Sequence, residues 1–183
     1  MKREHWLMFA LAGVGALFLL SRTDKGAAVT AAAADSVGAL PGRISSAVRG
    51  IRNNNPGNIR RTNDPWQGLS ADQTDAAFFQ FDAMEYGIRA LCKILRKYYA
   101  GYHLATVRAI VSRWAPSNEN DTGAYVAAVA DYMGVVADDF LNLDDPATVF
   151  SLARGIIRQE VGTLPALLIS DATVTAGVNL SLG

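Results

Sequence analysis

Cysteine, histidine and glutamate are the scarce residues of this 183-residue chain, and each scarcity removes a class of chemistry. A single cysteine, Cys92, excludes an intramolecular disulfide and any cysteine-rich metal site. Two histidines, His5 and His103, leave Ser-His-Asp, Cys-His and zinc-hydrolase schemes resting on one histidine with no motif around it. Neither a metal nor an organic cofactor is therefore expected. The four glutamates are Glu4, Glu85, Glu119 and Glu160, so carboxylate acid/base work has few places to reside. Net charge is also absent, although the charges are unevenly spread. Residues 43–113 carry eleven Lys/Arg against five Asp/Glu, and residues 114–183 carry two against nine. Such a basic half attracts nucleic acid, anionic lipid or an acidic polymer, or simply the acidic half of the same chain.

What is present divides the chain into three. Residues 1–25 contain an uncharged run from Trp6 to Leu20 with basic residues on both sides. The run is shorter than the ~20 residues of a usual span. It reads as a membrane anchor or signal-anchor, permanent or releasable, in competition with a cleaved signal peptide. Residues 26–49 are small, alanine-rich and broken by glycine and Pro41, the composition of a linker. Residues 50–183 have the length and apolar content of one globular domain.

That domain opens on RNNNPGNIRR (52–61), which places four asparagines, a Pro-Gly pair and three arginines in ten positions. Turn chemistry dominates to about residue 81, with AFFQF (77–81) as a strand-like run. Helical periodicity follows. Ile88, Leu91, Cys92 and Leu95 share a face opposite Arg89, Lys93, Arg96 and Lys97, with Asp82 expected as N-cap and Glu85 at capping-box spacing. A second helix begins after Thr106, with Val107, Ile110, Val111 and Trp114 in phase. A third follows SNENDT, with Tyr125, Val129, Tyr132 and Met133 in phase and Gly134 as its stop. In the fourth, Asp145 caps, Pro146 opens, and Val149, Leu152, Ala153, Ile156, Ile157 and Glu160 form one stripe stopped by Gly162. The apolar tail is expected to pack on the domain. The fold class is mainly α, with a small β or loop-rich region at the front and one N-terminal apolar helix.

The helix field separates the glutamates. Glu85, in a first turn, is held as a carboxylate by free N–H groups, which suits a cap better than a proton donor. Glu119 lies in a polar loop before a helix, where the same argument is weaker and exposure makes it a candidate sugar contact. Glu160 closes its helix at the negative end of the dipole and continues a buried stripe, and both effects favour the protonated carboxyl. A glycosidic bond needs such a group to protonate its leaving oxygen. The competing expectation is an ordinary ion pair with Arg154 or Arg158.

The motifs IRNNNPGNIRR, WQGL, FFQF, EYGIRALCKIL, IVSRWAPSNENDTGAYVAAV and LARGIIRQEVG occur in that order over about residues 50–180. Together they resemble a family of phage and prophage virion-associated proteins with a lysozyme-like α+β domain. NPGNIR followed by WQGL is also similar to the Asn-x-x-Gly-Ile-Lys turn of flagellar-type glucosaminidases and lytic transglycosylases. ARGIIRQEVG is similar to their helix ending in QES, with Val161 where that serine stands and with the helix after the turn instead of before it. The resemblance implies a membrane-tethered peptidoglycan hydrolase, a lytic transglycosylase or muramidase, at a virion membrane or on the periplasmic side of the host inner membrane. It makes Glu160 the catalytic group, with Glu85 as second choice, and Asp171 an acidic neighbour without a motif. Asn54, Asn55 and Asn58 become candidate sugar contacts beside Glu119, with Trp66 and Tyr125 as stacking surfaces. Expected partners are the glycan strand, the membrane through residues 6–20, and other virion proteins. Nucleic acid is not expected, for want of a helix-turn-helix or an aromatic platform. The alternative is a non-catalytic virion protein that binds glycan or a partner protein.

Overall fold

The computed structural model describes residues 49–117 and 121–183. The expected anchor, the linker as far as residue 48, and Glu119 lie outside them. Among the described residues no helix is long and apolar enough to cross a membrane.

The structure is mainly helical. A loop-rich front (49–81) is followed by α1 (Met84–Tyr102), α2 (Val107–Trp114), α3 (Thr122–Met133), α4 (Pro146–Glu160), the single turn α5 (Thr163–Ala166) and α6 (Asp171–Leu182). In α1 the expected stripe of Ile88, Leu91, Cys92 and Leu95 is buried, and burial pushes the Cys92 thiol up to about 12. Its N-cap, however, is Ala83, with no side-chain bond, and not Asp82. Asp82 is instead drawn into the front loop, where its N–H donates to the Gly68 carbonyl. Thr106, Asp121, Asp145 and Ser170 do cap α2, α3, α4 and α6 through their side-chain oxygens. Gly134 ends α3 in the left-handed region at φ 68°.

α4 lies at the centre, with Val149, Leu152, Ala153, Ile156 and Ile157 buried against α3, α1 and α6. The stripe of α3 is rotated from its expected phase. Val126, Val129 and Ala130 are buried, whereas Tyr132 faces outward under the Arg158 guanidinium, 5.0 Å from its ring centroid. The apolar tail does pack on the domain, as helix α6 against α1. Gly177 allows this close approach, since a methyl there would collide with Ile88.

The front region builds almost no sheet. AFFQF contributes only the isolated antiparallel bridges Arg60–Phe78 and Leu69–Phe81. Side chains take over the work of a ladder: Gln73 Nε2 donates to the carbonyls of Ser70 (2.9 Å) and Gln80 (2.6 Å), and Gln80 N–H donates back to Gln73 Oε1 at 2.9 Å. The front docks on α1 at Gly87, where any Cβ would strike the Asn54 carbonyl.

Candidate active site

The asparagine run divides its labour. Asn53 Nδ2 donates to Asp75 at 2.9 Å, and Asn54 Nδ2 to the Phe81 carbonyl at 2.9 Å. Asn55 is buried, donates to the carbonyls of Ile59 and Phe79 at 2.9 Å each, and accepts from Ile59 N–H at 2.9 Å. These three amides therefore hold the front region together, and Asn55 has no edge left for a ligand. Asn54 and Asn58 both adopt positive φ (49° and 46°), a conformation asparagine tolerates better than most residues. The run is thus a turn whose side chains also fasten it.

Asn58 points elsewhere, and it leads to Glu160. Its Nδ2 donates to Glu160 Oε2 at 3.1 Å and to the Glu160 carbonyl at 3.3 Å. Trp114 Nε1 at 2.9 Å and the Tyr125 hydroxyl at 3.0 Å donate to Oε1. Each carboxylate oxygen has two lone-pair directions. Oε1 has both taken, while Oε2 accepts one side-chain donor, so Oε2 is the atom with capacity for a proton or a substrate oxygen. Four segments converge here: the asparagine turn and the ends of α2 and α4 meet the first turn of α3.

Neither expected arginine reaches Glu160. Arg154 binds Asp171, with Nε to Oδ1 at 3.1 Å, and the Ala166 carbonyl at 3.1 Å. Arg158 stacks over Tyr132. The half-buried Glu160 carboxylate is thus gripped by three neutral donors and by no described cation. Its position at the helix end is as expected from the sequence, and a ring of three donors surrounds it there in place of the expected arginine. The Tyr125 hydroxyl bears the counterpart of that charge. Burial first, then the adjacent Glu160, hold it well above the ordinary tyrosine value near 10, so it remains a donor at any physiological pH. One atom of the cluster is orphaned, since Asn58 Oδ1 is buried with no hydrogen-bond partner among the described residues.

Of the residues singled out in the sequence, the structure unites Asn58, Tyr125 and Glu160. Trp114 joins them unforeseen, because its apolar phase placed it among core residues. The indole N–H at the end of that stripe was the available signal. Glu85 stands in the first turn of α1, with no described bond to the cluster. Trp66 is half-buried in a separate groove. Asp171 is the ion-pair partner of Arg154. Among the described residues no group of His, Cys, Asp or Glu is arranged to hold a metal.

No family model matches the chain. It is similar to Protein P5 of Pseudoalteromonas phage PM2, with 39% identity over 137 residues that cover 73% of this chain and 84% of that protein.

Proposed function

The chain belongs to the family of Protein P5 of Pseudoalteromonas phage PM2, and from that premise we propose that it is a phage or prophage peptidoglycan hydrolase. In this reading the N-terminal apolar run tethers a lysozyme-like domain to the virion membrane, or to the host inner membrane facing the periplasm. The domain cleaves the glycan strand as a lytic transglycosylase or muramidase. The observation that carries the reading is Glu160, a helix-end carboxylate held by Asn58, Trp114 and Tyr125 and in no ion pair with a described residue. Structural carboxylates here pair with a cation, as Asp75 and Asp171 do, or cap a helix, as Asp145 does, and Glu160 does neither among the described residues. One left with neutral donors retains a lone pair for chemistry.

The step balances with one acid/base. Protonated at Oε2, Glu160 gives its proton to the glycosidic oxygen as the bond from C1 to that oxygen breaks. The 6-hydroxyl oxygen of the same sugar then attacks C1, and its proton returns to Glu160, leaving an anhydro-sugar end and a free sugar hydroxyl. The three donors fix where Oε2 points, which is how a single carboxyl is positioned for transfer. A second reading, a non-catalytic virion protein that binds glycan or a partner protein, has one observation in its favour. No second described Asp or Glu bonds into the cluster, and Val161, where the similar helices carry serine, is fully buried. Mass spectrometry of products released from purified peptidoglycan by the full-length chain decides between them. Anhydro-sugar ends that disappear with Glu160→Gln support the transglycosylase. Reducing ends that disappear support a muramidase. A folded parent that releases nothing refutes both modes of cleavage and supports the non-catalytic reading.

A further inference from the structure

A groove of about 570 Å³ lies on another part of the surface, between the front loop and α1, with one residue each from α2 and α6. Neither Glu160 nor any of its three side-chain donors lines it. Five cationic side chains do: Arg60, Lys93, Arg96, Lys97 and Arg113, against one carboxylate, Asp64. Some of this charge has structural work. Arg96 donates to the Ser181 carbonyl at 3.0 Å, and Arg113 sits over Tyr102 with its guanidinium 4.0 Å from the ring centroid. Lys93 and Lys97 form no ion pair with any described residue. Trp66 supplies a second, independent sign, since it lines the groove and its buried Nε1–H has no acceptor among the described residues.

We infer that this groove is a subsite for the carboxylate-bearing part of the glycan strand, its peptide stems, separate from the cleavage site at Glu160. The inference rests on the peptidoglycan reading above and adds what the protein grips besides sugar. Two features tie the groove to the cluster. Asn58 binds Glu160 and the next residue, Ile59, lines the groove. Trp114 binds Glu160 and the preceding residue, Arg113, lines the groove. Two segments that line the groove thus each place their neighbouring residue on the Glu160 carboxylate. Single-stranded nucleic acid fits less well, because it needs open ring faces for its bases. Here Arg113 covers Tyr102, and Tyr98 meets Tyr102 edge-on at 6.3 Å. A lipid surface is flat, whereas these cations line a recess.

The test is co-sedimentation of the full-length chain with purified sacculi over a salt series. The variants are Lys93→Glu with Lys97→Glu, and Trp66→Phe, with Glu160→Gln beside them and folding followed by circular dichroism. Lys97→Gln replaces the double variant if that one fails to fold. Charge reversal should raise the half-saturating sacculus concentration at least about tenfold at low salt and flatten the salt dependence. Trp66→Phe should raise it about threefold, and the same charge reversal made in Glu160→Gln, which does not digest the sacculi, should raise it as much as in the parent background. Sacculi with amidated carboxyls should bind the parent as weakly as native sacculi bind the double variant. If the double variant sediments like a parent that does release fragments, the inference fails and the hydrolase reading stands. If the parent neither sediments nor releases fragments, both fail. Charge reversal that weakens retention on oligodeoxythymidylate or phosphatidylglycerol vesicles, with sacculus binding untouched, overturns the inference in favour of that ligand.

Discussion

Two carboxylates in different regions receive similar asparagine bonds and differ in everything else. Asp75, in the front loop, accepts from Asn53 Nδ2 and from the N–H groups of Ala77 and Phe78, with Arg49 at 3.9 Å and Arg52 at 3.6 Å from Oδ2. Asn53 first, then the Ala77 N–H, with Arg49 adding its charge, hold its carboxyl below the ordinary range. Glu160, at the end of α4, accepts from an asparagine, an indole and a phenol and forms no ion pair with a described residue. Cations and backbone donors make Asp75 a fastener of its loop. Neutral side-chain donors aim Glu160 without cancelling its charge. In the proposed reading, the charge of the partners, more than their number, separates this structural carboxylate from one kept for chemistry.

The largest expected effect comes from exchanging the two. Glu160→Gln should lower fragment release by at least about 100-fold, the scale of a lost general acid, while the protein stays folded. Asp75→Asn should lower the melting temperature and leave activity per folded molecule near that of the parent. If the two substitutions act alike on turnover, the contrast between the regions is false. Next in size is Asn55→Ala, which leaves the Ile59 N–H and the Phe79 carbonyl without their amide partner, while the Ile59 carbonyl keeps the Phe79 N–H. It should cost about 3 kcal/mol, read as a shift of the urea midpoint with unchanged slope. A cost under about 0.5 kcal/mol would mean that the front region closes without its amide.

The helices were legible wherever apolar and polar residues alternate in strong contrast, as in α1 and α4. α6 was not read as a helix, since Thr, Val, Gly and Asn give it weak propensity and its packing on α1 decides the matter. The phase of α3 was misread because Val126 and Ala130, not Tyr132, fill the buried positions beside Val129. Glu160 stood out from its place on a helix, whereas its neighbours did not. Trp114 and Asn58 are 46 and 102 residues from it in sequence, and only the packed fold brings them together. The asparagine run was legible as a turn, but which amide faces inward depends on contacts 22 to 27 residues away.

A smaller effect sharpens the role of the donors around Glu160. Tyr125→Phe removes one of the two bonds to Oε1 and leaves the ring in place. Turnover per folded molecule should fall about tenfold, and stability should fall by no more than the about 1.5–3 kcal/mol that one hydrogen bond to a charged group is worth, because Trp114 retains the other. Stability lost with turnover per folded molecule unchanged would make Tyr125 a packing residue.

The smallest expected effect is the acid limb of stability, and it bears on Asp75 alone. The Asp75 carboxyl titrates in the folded protein below the ~3.9 of an unfolded chain. Between those two values the unfolded chain binds more protons, so the stabilisation from Asp75 is complete above the unfolded value and is lost as pH falls through the folded one. The melting temperature of the parent should therefore drop more steeply below about pH 4 than that of Asp75→Asn, with the two curves converging in acid. Asp138, through Arg108, and Asp145, through Thr148, also titrate low, but both remain in either protein and cancel in the difference. Parallel curves would mean that the arginines and amides around Asp75 do not favour its charged form, and the contrast with Glu160 would then rest on catalysis alone.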